Sequence, residues 1–210
     1  MTKYTPTTID IHDIIRDRWS PRGFDQSREV SQSQIHALVE AARWTPSSFN
    51  LQPWRFIIWN KHTDSETYLH AYSSIAETNQ AWIGHAPVII AVLADTRDKT
   101  GEINSNNSAS YDAGAAALSL VFQAQALGLA SRQIGGFNRD ELRERFNIPA
   151  YIRILALIGI GYQSQDNDHL HDDLKQREKS PRERKPLHEI AFTYGLNQPF
   201  AAHNFHSIAS

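Results

Sequence analysis

The sequence predicts an α+β fold, because helices and short strands are mixed without the strict alternation of a doubly wound parallel sheet. Strands are predicted where β-branched and bulky residues form short runs bounded by breakers, at residues 55–60, 88–94 and 153–160. Four further segments have helical periodicity or capping signals. With 210 residues, 40% of them hydrophobic, and no linker, residues 1–210 are predicted to form a single domain.

Two helices are predicted before the first strand. The helix at residues 10–18 has three isoleucines on one face and ends at the Ser-Pro pair that begins with Ser20. The second helix begins at Ser31, which has capping-box spacing with Gln34, and it should end before Pro46. Its apolar residues recur at i, i+3, i+4 and i+7, namely Ile35, Leu38, Val39 and Ala42.

Two more helices are predicted in the second half of the chain. Residues 108–127 are small and apolar nearly all round, and Gly128 is the expected C-cap. Such a helix must be buried on most sides, and in a dimer it would form a natural interface. Residues 138–146 form a shorter helix, with Asn138 as the N-cap and Pro149 beyond its end.

Composition excludes several classes of function. The formal net charge of -2 argues against a nucleic-acid partner, which would require a basic surface. The absence of cysteine excludes disulfides, thiol catalysis, iron–sulfur clusters and thiolate-bound zinc, so any redox chemistry needs a cofactor. The first residues lack a signal-peptide pattern, and no apolar run is long enough to span a bilayer, so a cytoplasmic location is expected.

Two basic segments lie far apart in the sequence. Residues 16–24 contain three arginines and the hydroxyl of Ser20 at a predicted helix end, and residues 180–187 contain Arg182 and Arg184 between prolines. Arginine side chains and hydroxyl groups are the donors that a phosphate monoester requires. Taken alone, each segment is more typical of a solvated charged turn.

Two further segments could present backbone groups to a ligand. Residues 45–54 form a polar loop framed by prolines, which could either contact a flat heterocycle or simply connect a helix to a strand. Gly135 and Gly136 precede a helix, where paired glycines permit close approach of a ligand or form a flexible turn.

Common nucleotide-binding and hydrolase motifs are absent. Gly159-Ile-Gly161 lacks the third glycine of a dinucleotide fingerprint, and there is no Walker loop, Gly-x-Ser-x-Gly or His-Glu-x-x-His sequence. Residues 166–173 include side-chain types that can bind metals, but without apolar framing they indicate a solvated loop. No metal site is predicted.

Together and in this order, the four segments resemble the nitroreductase family of FMN (flavin mononucleotide) enzymes. The resemblance extends from about Ile14 to Ile190, and its most specific parts are Arg18-x-Ser20, Pro46-Ser47-Ser48-x-Asn50-x-Gln52-Pro53-Trp54 and Gly135-Gly136-Phe137. It implies an antiparallel-dominated sheet flanked by helices, in an intertwined homodimer with two shared active sites. The long helix would lie at the dimer interface, and the C-terminal segments would reach the partner.

The resemblance also implies the residues that bind the cofactor. The FMN phosphate and ribityl chain would be bound by Arg18, Trp19, Ser20, Arg182 and Arg184. The flavin would be lined from the other subunit by Pro46, Ser47, Ser48 and Asn50. A backbone N–H of Gly135 or Gly136 would reach flavin N5, and Asn79 would lie near the pyrimidine edge. Trp82 stands where some members carry a lysine, so a lower flavin potential is expected.

The implied activity is hydride transfer carried by the flavin, so no catalytic side chain is predicted. NADH or NADPH would reduce FMN, and an electron-poor small molecule such as a nitroaromatic, quinone or enal would then be reduced in a ping-pong cycle. Residues 63–80 would help to cover the pocket. Two alternatives are an FMN carrier or sensor without turnover, and a helical interaction domain that binds no flavin.

Overall fold

A four-stranded antiparallel sheet forms the centre of the fold in the computed structural model, which describes residues 3–7 and 9–200. The strands are β1 (Trp54–Asn60), β2 (Val88–Asp95), β3 (Ala130–Ile134) and β4 (Ile152–Gly161). Their order across the sheet is β1-β2-β4-β3, and every neighbouring pair is antiparallel. The two central strands are therefore β2 and β4, which are not consecutive in the sequence.

Seven α-helices flank this sheet in the described part of the chain. They are α1 (Asp13–Asp17), α2 (Gln32–Arg43), α3 (Ser65–Ser73), α4 (Glu77–Ile83), α5 (Ala109–Ala126), α6 (Arg139–Arg145) and α7 (Asp172–Lys179). Short 3₁₀ helices lie at Ser48–Asn50 and Leu187–Glu189. None of the described helices combines the length and hydropathy needed to cross a bilayer, and the cytoplasmic location stays a prediction.

Strand β2 is buried along its whole length and separates two apolar layers. Side chains of a strand alternate between the two faces of the sheet. Ile89, Ala91 and Leu93 pack with the layer that contains α3, α4 and α6. Val88, Ile90 and Val92 pack with the opposite layer, which contains α2 and α5. The near-continuous apolar sequence of β2 is explained by this burial on both faces.

Most of the predicted elements are present, with changes at their ends. The capping box of α2 is formed by Ser31 and Gln34, and Asn138 caps α6 as expected. Gly128 follows the long helix α5 with a φ of +71°, the left-handed conformation expected at a C-cap. Helix α1 is shorter than the predicted 10–18, because the backbone becomes extended at Arg18.

The structure contains one strand and three α-helices that the sequence did not predict, namely β3, α3, α4 and α7. Strand β3 is short and polar, and its extended conformation depends on pairing with β4. Helix α7 begins at the end of residues 166–173, which were expected to form a solvated loop, and its later residues Leu174 and Glu178 are buried. Within the described residues no group of three or more metal-ligating side chains occurs.

A single methyl group at Gly161 should destabilise the sheet. A Cβ there would lie 2.6 Å from Pro87 Cδ and 3.1 Å from Phe24 Cδ1, and both neighbours are held by the backbone or the core. We expect Gly161→Ala to lower the free energy of unfolding of the apoprotein by about 1–3 kcal/mol. Urea denaturation of the native apoprotein and the variant would measure this free energy of unfolding. Gly135→Ala is the matched control, because a Cβ there meets no atom within 4 Å, and an equal loss in both variants would contradict the packing argument.

Candidate functional site

Arginines from two distant parts of the chain meet at the end of α1. Arg18 Nη1 donates to Ser20 Oγ at 3.0 Å, and Arg182 Nη2 donates to the Arg18 carbonyl at 3.0 Å. Burial, together with the nearby charges of Arg182 and Arg184, lowers the pKa of Arg18. The structure therefore brings Arg18, Ser20, Arg182 and Arg184 together, and we call these four residues the arginine cluster.

No carboxylate forms a salt bridge with the arginine cluster in the described part of the chain, although burial lowers the pKa of Arg182 and the charge of Asp17 offsets part of that lowering. Neither Arg18, Arg182 nor Arg184 forms a salt bridge there within 4.0 Å. Asp17 lies next to Arg18 in the sequence, but its carboxylate pairs with Arg16 at 2.8 Å. Three guanidinium groups beside a hydroxyl, with no salt-bridged carboxylate among the described residues, supply the positive charge that a phosphate requires.

Trp19 is placed differently from its two neighbours. Its side chain lines a separate cavity of about 250 Å³, and Lys3 Nζ lies 4.7 Å from the centroid of its ring. Successive side chains of an extended segment point to opposite sides, so Arg18 and Ser20 share one side and Trp19 takes the other. The phosphate contact of Trp19 stays a prediction, and this placement leaves only its backbone near the cluster.

Gly135 and Gly136 follow β3 and are exposed. The Gly136 carbonyl accepts a hydrogen bond from Ala76 N at 3.0 Å and another from Asn79 Nδ2 at 3.4 Å. A Cβ on Gly136 would lie 2.9 Å from Asn79 Nδ2, whereas a Cβ on Gly135 would meet nothing within 4 Å. Gly136 is thus fixed against the start of α4, while the backbone of Gly135 stays open to a ligand.

The loop between α2 and β1 has an unusual backbone. Phe49, Asn50 and Gln52 have φ values of 51°, 53° and 48°, in the left-handed region that non-glycine residues rarely adopt. The conformation is held by hydrogen bonds, because Ser48 N donates to Asp112 Oδ2 and Gln52 N donates to Ser47 Oγ, both at 3.0 Å. Strained backbone of this kind is concentrated at functional sites.

Within this loop, the four predicted flavin-lining residues are accessible. Pro46 and Asn50 are exposed, and Ser47 and Ser48 are partly exposed. The loop also rests on α5 through Thr45, whose hydroxyl lies 2.8 Å from that of Ser119. Short polar side chains and backbone groups are therefore presented at the surface, outside the packed core.

Helix α5 lies between this loop and the arginine cluster. The loop contacts Asp112 and Ser119, which are seven residues apart and share one face of the helix. Arg18 and Ser20 share a cavity of about 350 Å³ with Leu118 and Val121. At about 100° per residue, these two lie roughly 120–180° around the helix from Asp112. Within one chain, the two halves of the predicted site are on different sides of α5.

Comparison with known proteins identifies the family. The nitroreductase family model matches residues 15–162, more than half of the chain. The chain belongs to the nitroreductase family. A solved structure described as an oxidoreductase containing FMN has a TM-score of 0.85 and 34% identity, covering 92% of this chain and 96% of that one. The predicted family, its α+β fold and the oxidoreductase class are therefore confirmed.

Two sequence relatives support the same assignment. YodC of Bacillus subtilis (strain 168), a candidate NAD(P)H nitroreductase, is 25% identical over 182 residues, covering 71% of this chain and 87% of the relative. The major NAD(P)H-flavin oxidoreductase of Aliivibrio fischeri is 32% identical over 91 residues, covering 42% of this chain and 41% of the relative.

Two residues at the site of this nitroreductase are absent from the sequence prediction. Asp112 is buried inside α5 and accepts the hydrogen bond from Ser48 N, and Arg132 lines the cavity beside Arg18. An acidic residue within a long apolar helix was a usable signal, since buried carboxylates need partners. Arg132 had no comparable signal, because β3 was not predicted.

Proposed function

We propose that this nitroreductase binds FMN and uses NADH or NADPH to reduce electron-poor small molecules of the nitroaromatic, quinone or enal type. The observation that carries the proposal is the arginine cluster, which has no salt-bridged carboxylate among the described residues and which borders a cavity of about 350 Å³ through Arg18 and Ser20. β3 runs from this cavity to the open backbone of Gly135. An elongated ligand with a phosphate at one end fits this arrangement.

The arginine cluster would hold the FMN phosphate. Arg18, Arg182 and Arg184 supply positive charge, and the hydroxyl of Ser20 supplies a further donor. Burial and the charge of Arg184 lower the pKa of Arg182, which indicates that this charge is assembled at an energetic cost. A bound dianionic phosphate would offset that cost, because charge-assisted hydrogen bonds are about twice as strong as neutral ones.

The glycine pair would orient the ring. The free face of Gly135 allows close approach of a planar ring, and its backbone N–H would donate to N5, while Asn79 would lie near the pyrimidine edge. FMN, when bound, supplies the redox chemistry by accepting hydride from NAD(P)H and passing it to the second substrate. The protein positions the ring, tunes its charge and leaves one face accessible to each substrate in turn.

The active unit proposed here is a homodimer. The loop residues Pro46, Ser47, Ser48 and Asn50 would line the flavin bound to the arginine cluster of the other subunit, since α5 lies between these groups within one chain. Tyr111, Gly114 and Leu118 form an exposed stripe on α5 at i, i+3 and i+7. An exposed apolar helix face next to a site is typical of an interface.

Purified protein should retain flavin and lose its colour with NAD(P)H. We expect FMN to remain bound after desalting and its visible absorbance to bleach when NADH or NADPH is added anaerobically. Reoxidation by a quinone or a nitroaromatic would complete the cycle. Flavin that is retained but never bleached would instead support a carrier or sensor, and a protein that retains no flavin would overturn the proposal.

A further inference from the structure

Arg132 is a partly buried cation that borders the cavity described above. It lies on β3, and its Nη1 donates to the carbonyl of Ser20. Its guanidinium carbon lies 5.1 Å from the centroid of the Trp82 ring, which is itself only 2% exposed. Burial lowers the pKa of Arg132 to about 10, so the side chain is still protonated at neutral pH. The positive charge of Arg132 is therefore retained in a partly desolvated environment.

Arg132 has no paired carboxylate in the described part of the chain. Glu178 is the acidic residue that acts on it electrostatically, but its carboxylate is taken by Arg22, which binds it through Nη1 at 3.2 Å and through the backbone N at 2.9 Å. The charge of Arg22 disfavours the protonated form of Arg132 further. The Trp82 ring and the charge of Glu178 compensate this desolvated cation only in part, so a ligand that supplies negative charge would stabilise it.

The position of Arg132 indicates which part of a flavin it would meet. Arg132 borders the same cavity as Arg18 and Ser20, and it precedes Gly135 by three residues, about 10 Å along an extended strand. It therefore lies between the phosphate end of the proposed site and the glycine proposed to reach N5. In FMN the ribityl chain joins the ring at N10, with the N1–C2=O side next to it and N5 on the opposite side of the central ring.

We propose that Arg132 contacts the N1–C2=O side of the bound flavin and stabilises the negative charge that the ring gains there on reduction. This inference rests on the proposed FMN site. When bound, FMN would accept a hydride, that is two electrons and one proton, from NAD(P)H, and the negative charge gained by the ring would lie on its N1–C2=O side, next to Arg132. A fixed cation at this side favours the reduced over the oxidised flavin.

This assignment changes the expectation for Trp82. Trp82 is buried among core residues and stacks near Phe24, with ring centroids 6.4 Å apart, so its own side chain contributes no charge to the cavity. The guanidinium of Arg132 lies over that ring. The cation that some family members carry on the helix at the position of Trp82 is thus provided here from β3, and a lower potential does not follow from Trp82 alone.

The test compares flavin potential with flavin affinity. Arg132→Met removes the charge, Arg132→Gln keeps a donor for the Ser20 carbonyl, and Arg132→Lys keeps a charge. Arg28→Met is the matched control, because the exposed Arg28 also stacks on an aromatic ring, 3.5 Å from the Tyr162 centroid, outside the cavity. The midpoint potential would be measured spectroelectrochemically, and dissociation constants for FMN and riboflavin would be measured by fluorescence titration of the apoproteins.

We expect Arg132→Met and Arg132→Gln to weaken the binding of reduced flavin, relative to that of oxidised flavin, by at least tenfold. For a two-electron couple, this lowers the midpoint potential by about 30 mV. Any loss of affinity for oxidised flavin should be equal for FMN and riboflavin, while Arg132→Lys and Arg28→Met stay near the native values. An FMN-specific loss would assign Arg132 to the phosphate and overturn the proposal, as would an unchanged potential. Should Arg132→Met fail to fold, Arg132→Gln decides. Failure of native protein to bind flavin would instead refute the proposed function.

Discussion

Removing two guanidinium groups from the arginine cluster should abolish tight FMN binding while riboflavin binding persists. In the double variant Arg18→Met, Arg184→Met, we expect the FMN dissociation constant to rise by two orders of magnitude or more, because each hydrogen bond to a charged group contributes about 1.5–3 kcal/mol. Riboflavin lacks the phosphate, so its dissociation constant should change less than about threefold on the same grounds. Fluorescence titration of the apoprotein measures both constants.

The choice of residues keeps this test specific. Arg182 is left in place because it donates to the backbone carbonyls of Arg16 and Arg18 and so holds the two segments together. Among the described residues, the Arg18 side chain hydrogen-bonds only to the hydroxyl of Ser20, and the Arg184 side chain only to the carbonyl of Glu183. Arg28→Met again serves as the control for removal of a positive charge. An equal loss of FMN and riboflavin affinity would show that the substitutions damage the fold, and no loss would remove the cluster from the phosphate site.

The parts of this fold that can be predicted from the sequence have strong local signals. Helix α2 has both a capping box and an apolar stripe, and β2 is an uninterrupted apolar run. Strand β3 has no such signal, since Arg132 and Gln133 interrupt its apolar residues and only its pairing with β4 makes it a strand. Helix α7 is unpredicted for a similar reason, because its buried Glu178 is paired in a salt bridge with Arg22, far away in the sequence.

The same distinction applies to the candidate site. Residue types and their order predict the segments that contain Ser20, Ser48 and Gly135, since these resemble a family pattern. What the sequence does not contain is their relation in space. Tertiary packing decides three features of the site. Arg182 donates a hydrogen bond to the Arg18 carbonyl, Trp19 points away from the cluster, and α5 separates the loop from the cluster. The roles proposed for these residues therefore need experiments that separate the two halves of the site.

Mixing two inactive variants should restore activity if the site is shared between subunits. The first variant is Arg18→Met, Arg184→Met, which damages the half that binds phosphate. The second is Asn50→Val, which places a β-branched residue at a φ of 53° and removes the amide from the loop. Asn50 is exposed, so the substitution should disturb the loop and leave the core intact. Each variant alone should retain little FMN and little NAD(P)H oxidation.

In a heterodimer of the two variants, one site combines the intact arginine cluster of the second chain with the intact loop of the first. The other site carries both defects. After subunit exchange at equal concentrations, half of the dimers are mixed, so activity and bound FMN should recover to about a quarter of the native level per chain. A site built within one chain would show no recovery above the mean of the two variants. An absence of recovery would mean that the loop contacts the flavin bound to its own chain. The loop would then have to leave its observed position against Asp112 and Ser119, because α5 lies between it and the arginine cluster.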